Sequence, residues 1–202
     1  MSPVIITPIE SAGAGLPVST AEAKAHMRVS ITDDDSLIDG LISAATNDIE
    51  KRLRRKLIEE TVTYSLDSFP GFAETILLPW APLQSVTSIA YTDTQGDSQT
   101  LSSSYYQVST SGITGRIAPV YGQTWPATYP QLDAVVITYV AGYGDEASDV
   151  PQNIRMAVKT LVAHWYENRE AVVTGMVSND VAKTLDYLLA REKVPTVWRY
   201  AT

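Results

Sequence analysis

Two changes of hydrophobic period within one 202-residue chain limit its fold more than any motif does. Between residues 34 and 55 the apolar residues Leu37, Ile38, Leu41, Ile42, Ala45, Ile49 and Leu53 recur three and four apart. That spacing lines one face of an amphipathic helix. From Thr61 the period shortens. Thr61-Val62-Thr63-Tyr64-Ser65-Leu66, Thr75-Ile76-Leu77-Leu78, Val86-Thr87-Ser88-Ile89-Ala90-Tyr91, Tyr105-Tyr106-Gln107-Val108 and Ala134-Val135-Val136-Ile137-Thr138-Tyr139 are rich in β-branched and aromatic residues, with Pro, Gly and Asp between them. These read as strands, and their short connections favour antiparallel pairing. After Gly142-Tyr143-Gly144 the helical period returns with Ile154, Val158, Leu161, Val162 and Trp165. The order predicts an α+β fold: a small helical bundle of N- and C-terminal helices with an inserted antiparallel β-sandwich-like lobe. In residue numbers, 1–15 is an extended arm, 16–60 and 148–195 form a discontinuous helical core, 61–147 is the β lobe and 196–202 is a tail.

Local signals sharpen these bounds. Ser19 with Glu22 three positions on is a capping box, opening a short helix that ends near Met27. Thr32-Asp33-Asp34-Asp35 supplies an N-cap and acids for the positive end of the second helix. Thr92-Asp93-Thr94-Gln95-Gly96-Asp97 is a hairpin turn. Pro151 suits a first helical turn with Asp149 as its N-cap, residues 171–178 read as a mobile loop, and Asn179 or Asp180 caps a last helix carrying Val181, Leu185, Leu188 and Leu189. Residues 61–147 hold twelve of the seventeen aromatic residues, enough to fill the core of a small sandwich.

Charge excludes some functions. Net charge is −8, and residues 61–147 carry seven acids against one base, Arg116. Tight nucleic-acid binding needs several bases to neutralise phosphates, so this segment is a poor nucleic-acid binder. An acidic surface repels DNA, which suits a conduit through which DNA slides. There is no cysteine, hence no disulfide and no thiolate metal site. No apolar run approaches the roughly 20 residues that span a bilayer. Met1-Ser2-Pro3-Val4-Ile5-Ile6 lacks a basic start, so no signal peptide and no membrane partner are expected.

Candidate chemistry is sparse, and each motif has a structural reading. His164 and Glu167 lie three apart on a helix, yet a di-metal bundle needs the order Glu then His and a second copy. His26 lies near a helix end. Asp33-Asp34-Asp35 lacks the alternate spacing, glycine and closing Glu of a calcium loop and reads as helix capping. Gly13-Ala14-Gly15 has no preceding strand and no third glycine, so it is no phosphate cradle. No Gly-x-Ser-x-Gly elbow occurs, and two histidines leave little room for a triad. Lys51, Arg52, Arg54, Arg55 and Lys56 read as the basic end of a helix, with contact to nucleic acid or to an acidic protein as rival readings. Trp198 and Tyr200 lie beyond the last helix and are efficient anchors for a partner's pocket.

A resemblance emerges from the order of several short motifs. They are Leu16-Pro17-Val18-Ser19-Thr20-Ala21-Glu22-Ala23-Lys24, Asp33-Asp34-Asp35, Leu78-Pro79, Pro82-Leu83-Gln84-Ser85-Val86, and Tyr91-Thr92-Asp93. Val140-Ala141-Gly142-Tyr143-Gly144, Val150-Pro151, Ile154-Arg155 and His164-Trp165-Tyr166-Glu167-Asn168-Arg169-Glu170 follow. Spanning about residues 16–195, the chain resembles the head–tail connector (adaptor) proteins of tailed bacteriophages and gene transfer agents.

The resemblance implies a structural virion protein without enzymatic activity or cofactor, made in the bacterial host cytoplasm and resident at the head–tail junction. It implies a ring of about twelve copies under the portal protein, extending a channel through which DNA passes without sequence-specific binding, and docking a stopper or tail-completion protein. By the same analogy Val197, Trp198, Arg199 and Tyr200 are the expected portal-binding residues. The alternative is a carbohydrate- or protein-binding module that uses the aromatic-rich β lobe.

Overall fold

Helices and strands segregate into two units in the computed structural model, which describes residues 6–8, 15–71, 73–168 and 179–193. One unit comprises Met1–Ala14 and Glu59–Tyr143; the other comprises Gly15–Ile58 and Gly144–Thr202. In chain order the elements are β1 (Ile6–Pro8), α1 (Thr20–Met27), α2 (Asp35–Leu53), β2 (Glu60–Leu66), β3 (Ile76–Leu77), β4 (Leu83–Thr92), β5 (Ser98–Thr100), β6 (Tyr106–Ser109), β7 (Arg116–Pro119), β8 (Val135–Ala141), α3 (Gln152–Glu167) and α4 (Asn179–Leu189). The fold is α+β.

In the helical unit, α3 packs against α1, α2 and α4, and α1 packs against α2. The buried stripe of α2 is Ile38, Ile42, Ala45, Ile49 and Leu53, spaced four, three, four and four. Leu37 falls off it and is 41% exposed. Ile154, Ala157, Val158, Leu161 and Val162 of α3, with Leu185 and Leu189 of α4, complete this core. Burying one such large aliphatic side chain stabilises by about 1.5–3 kcal/mol.

Helix ends differ from the sequence reading in two places. The predicted capping box at Ser19 is present: Ser19 Oγ accepts from the Glu22 amide while Glu22 Oε2 accepts from the Ser19 amide. Asp34 occupies the N-cap of α2, but its side chain makes no cap hydrogen bond there. Pro151, and not Asp149, is the N-cap of α3, its carbonyl accepting from Ile154 and Arg155. Asp149 instead closes a single 3-10 turn by accepting from the Glu146 amide at 3.3 Å.

The β unit holds a five-stranded sheet, order β1-β2-β8-β4-β5, and a three-stranded sheet, order β3-β7-β6, with every pairing antiparallel. Strand β8 is central and alternates buried and half-buried along its length, as a strand with one face on a core must. Seven residue pairs tie it to β2, from Glu60↔Ala141 to Leu66↔Val135. Two register shifts on β4 each insert one residue opposite β8. Both sheets contribute to one core that includes Tyr64, Phe69, Ile117, Trp125, Ile137 and Tyr139. Phe69 stacks on Trp125 at 5.0 Å between ring centroids, with 3° between their planes.

Three strands escaped the sequence reading. β1, β5 and β7 are three or four residues long and lack an alternating apolar run. Tertiary pairing, rather than local propensity, makes them strands.

Candidate assembly surfaces

The residues that carry the resemblance turn out to be cross-links within each unit. Arg155 of α3 donates through Nε to the Pro17 carbonyl at 2.9 Å and through Nη2 to Glu22 Oε1 at 2.5 Å, joining α3 to the start of α1. The Tyr166 hydroxyl donates to Asp34 Oδ2 at 2.6 Å, and Lys24 Nζ meets Asp35 Oδ1 at 2.6 Å. Thr20 Oγ1 also donates to Asp39. Asp34 and Asp35 thus tie helices together, which the capping reading missed. In the β unit Gln84 Nε2 donates to the Gly142 carbonyl at 2.7 Å, joining two of the quoted motifs. Gly144 is a close approach: a Cβ there would lie 2.7 Å from Asp149 Cγ.

Bond donation by Ser19 and the charge of Arg155 both favour ionised Glu22 and hold its pKa below 4.5. The Asp93 carboxylate in the β4–β5 turn is likewise lowered, first by Gln99 and then by the amides of the turn.

The predicted basic cluster separates into satisfied and available charges. Arg52 pairs with Asp48 at 2.6 Å, the buried Lys56 pairs with Glu50 at 3.2 Å, and Arg55 Nε donates to the Glu192 carbonyl at 2.8 Å. Lys51 and Arg54 are exposed and make no ion pair with any described residue. Arg54 caps α2 in the left-handed conformation, φ 54°, and Arg28 caps α1 in the same way at φ 59°. Glycine usually takes such positions, because a side chain costs about 1 kcal/mol there.

Acids accumulate in the other unit. The β unit carries eight acids and one base, a difference of −7, and the helical unit fifteen acids and fourteen bases, a difference of −1. Asp67, Asp93, Asp97 and Asp133 all sit where β2 and β4 end and β5 and β8 begin. Asp67 accepts from the Asp133 amide at 3.1 Å. Asp97 and Asp133 are exposed, and their carboxylates bond no described residue. Beside them Leu132 is 73% exposed.

The other candidates find structural places. His164 faces Asn168 across 3.3 Å, His26 is exposed at the end of α1, and no cluster of three or more metal-binding side chains occurs among the described residues. Tyr64, Phe69, Tyr106, Trp125 and Tyr139 fill the β core, so the aromatic richness of this unit serves packing first. The exposed aromatics Tyr105, Tyr121 and Tyr129 lie outside the strands. Val197, Trp198, Arg199 and Tyr200 lie outside the described residues, as do Gly13, Ala14 and residues 171–178. No described helix is long and apolar enough to cross a membrane.

This architecture has close counterparts among solved structures. A chain in the neck of an empty gene transfer agent particle, computed with C6 symmetry, superposes with a TM-score of 0.78 at 22% identity, covering 95% of this chain and 96% of that one. A chain from the virion of the native particle gives 0.76 at 23% identity with the same coverages, 95% and 96%. A chain from the native neck, computed with C12 symmetry, gives 0.72 at 23%, again covering 95% and 96%. No curated protein matches the sequence significantly. The family model for head completion proteins matches residues 18–178, from the buried Val18 through α1, α2, strands β2 to β8 and α3, and the chain belongs to that family.

Proposed function

We propose that this protein is a structural component of the head–tail junction of a phage or phage-like particle. It assembles there as a ring beneath the portal, continues the DNA channel, and receives the stopper or tail-completion protein. It has no enzymatic role in this reading and needs no cofactor. The observation that carries the proposal is coextensive likeness: a head completion family match joined to a fold shared, over 95% of the chain, with chains from gene transfer agent necks. Those necks were computed with C6 and C12 symmetry, which supports a cyclic arrangement of about twelve copies. The acidic β unit agrees with a channel component that does not grip DNA, since like charge keeps phosphates at a distance.

Electron microscopy of particles made without this gene tests the proposal. Filled heads lacking tails are the expected product, and normally tailed particles would exclude the junction role. Val197, Trp198, Arg199 and Tyr200 form the proposed portal anchor, with the two aromatics as its core. Deleting residues 196–202 is expected to abolish capture by immobilised portal protein; undiminished capture would remove the anchor from the proposal.

A further inference from the structure

A ring closes only if one patch of each subunit fits a different patch of the next. This chain carries two patches of opposite charge that its own fold leaves unused. One is the C-terminal end of α2, where Lys51 and Arg54 are exposed and lack ion-pair partners among the described residues. The other is the end of the five-stranded sheet formed by the β4–β5 turn and the approach to β8, where Asp97 and Asp133 are equally unpartnered.

Two features argue that these charges meet protein. Lys51 and Arg54 complement the negative end of α2, yet that role leaves their donors exposed and without an acceptor among the described residues. An exposed large hydrophobic side chain also lies on a segment that adjoins each patch. Arg55 bonds the Glu192 carbonyl, which brings the end of α4 beside the end of α2, and Tyr187 of α4 is 84% exposed. Leu132, next to Asp133, is 73% exposed. An apolar centre with charges at its rim is the usual anatomy of a specific interface. DNA offers charge but no such apolar surface in its backbone, whereas the β unit of a second copy supplies both.

We infer that Lys51, Arg54 and Tyr187 of one copy dock against Asp97, Asp133 and Leu132 of the next, and that this contact closes the ring. The inference rests on the ring reading and adds the partner surface that the reading leaves open. Adjacent strands lie about 4.8 Å apart, so Asp97 before β5 and Asp133 before β8 stand roughly 10 Å apart across β4. A lysine and an arginine three positions apart reach both.

Charge reversal with rescue tests it in whole particles. The gene is deleted and replaced by full-length variants, and the amount of this protein per purified particle is read by quantitative mass spectrometry, with necks imaged alongside. Lys51→Glu with Arg54→Asp reverses the basic patch; Asp is chosen because it tolerates the left-handed conformation. Asp97→Lys with Asp133→Asn reverses or neutralises the acidic patch; Asn is chosen because Asp133 is also left-handed, at φ 54°. Each pair of changes is expected to lower incorporation about tenfold through like-charge repulsion, and the four changes together are expected to restore it to within about threefold of the unaltered chain. Lys51→Glu alone, at a surface helix position, is expected to give a smaller loss in the same direction.

Normal incorporation of either reversed pair overturns the inference. So does a failure of the combined variant to recover, which is also what misfolding would produce. Loss from the basic reversal alone, with the acidic reversal harmless, overturns it in favour of another partner such as DNA. If the unaltered chain is itself absent from the necks, the ring reading falls and takes this contact with it.

Discussion

Arg155→Met should loosen the helical unit in a measurable and specific way. The substitution keeps a long apolar stem, so the change is confined to the guanidinium and its bonds. Two of those bonds matter. Nε donates to the Pro17 carbonyl at 2.9 Å, and a charged donor on a neutral acceptor contributes about 1.5–3 kcal/mol. Nη2 meets Glu22 at 2.5 Å, but Glu22 is 39% exposed while Arg155 is 16% exposed. Solvent screening therefore limits that pair to about 0.5–1 kcal/mol. The contact with Gln152 at 3.4 Å is too long to add much. The sum is about 2–4 kcal/mol. With a urea m-value of about 2 kcal/mol/M, the midpoint should fall by about 1–2 M. Far-UV circular dichroism at 222 nm is the assay, since the helices all belong to one unit. Arg155→Lys should fall between the two, because an ammonium can reach one acceptor but cannot fork to both. A double-mutant cycle with Glu22→Gln should return a coupling of about 0.5–1 kcal/mol. A midpoint unchanged within about 0.2 M would refute the claim that this arginine joins α3 to the start of α1.

Three further outcomes follow from the same geometry. Lys56→Met should cost about 3 kcal/mol by removing the cation beside the largely buried Glu50 carboxylate, which the Leu57 amide also binds at 2.9 Å, whereas Glu50→Gln with Lys56→Met should recover most of it in urea titrations. Glu22 has a depressed folded-state pKa, so its contribution is complete above the unfolded value of 4.5 and disappears as pH falls through the lower folded value. Glu22→Gln should accordingly flatten the stability–pH curve below about pH 5 and leave its slope above pH 6 unchanged. Gly144→Ala should destabilise by more than 1 kcal/mol in thermal melts, because the new methyl meets Asp149 and breaks the 3-10 turn before α3.

What could be read from the sequence was what period and capping encode. The buried stripe of α2, the Ser19–Glu22 box and the alternation of β8 are local patterns with one cheap solution each. β1, β5 and β7 were not legible, because three or four residues carry no period and become strands only when a neighbouring strand offers its free edge. Asp34 and Asp35 look like capping residues by position, yet the structure uses them to bind Tyr166 and Lys24. A partner 132 residues away leaves no local trace. The same holds for assembly surfaces. Lys51 to Lys56 read as one basic run, and only the paired partners of Arg52, Arg55 and Lys56 show that two of its charges remain available.

The central claim is that this chain forms a ring in the particle neck. A symmetry-free cryo-electron reconstruction of the neck from particles carrying the unaltered gene tests it most directly. The account predicts a closed ring of about twelve subunits whose density accepts both the helical unit and the β unit of this chain. A neck whose rings accommodate neither unit, or purified particles that lack the protein altogether, would contradict it.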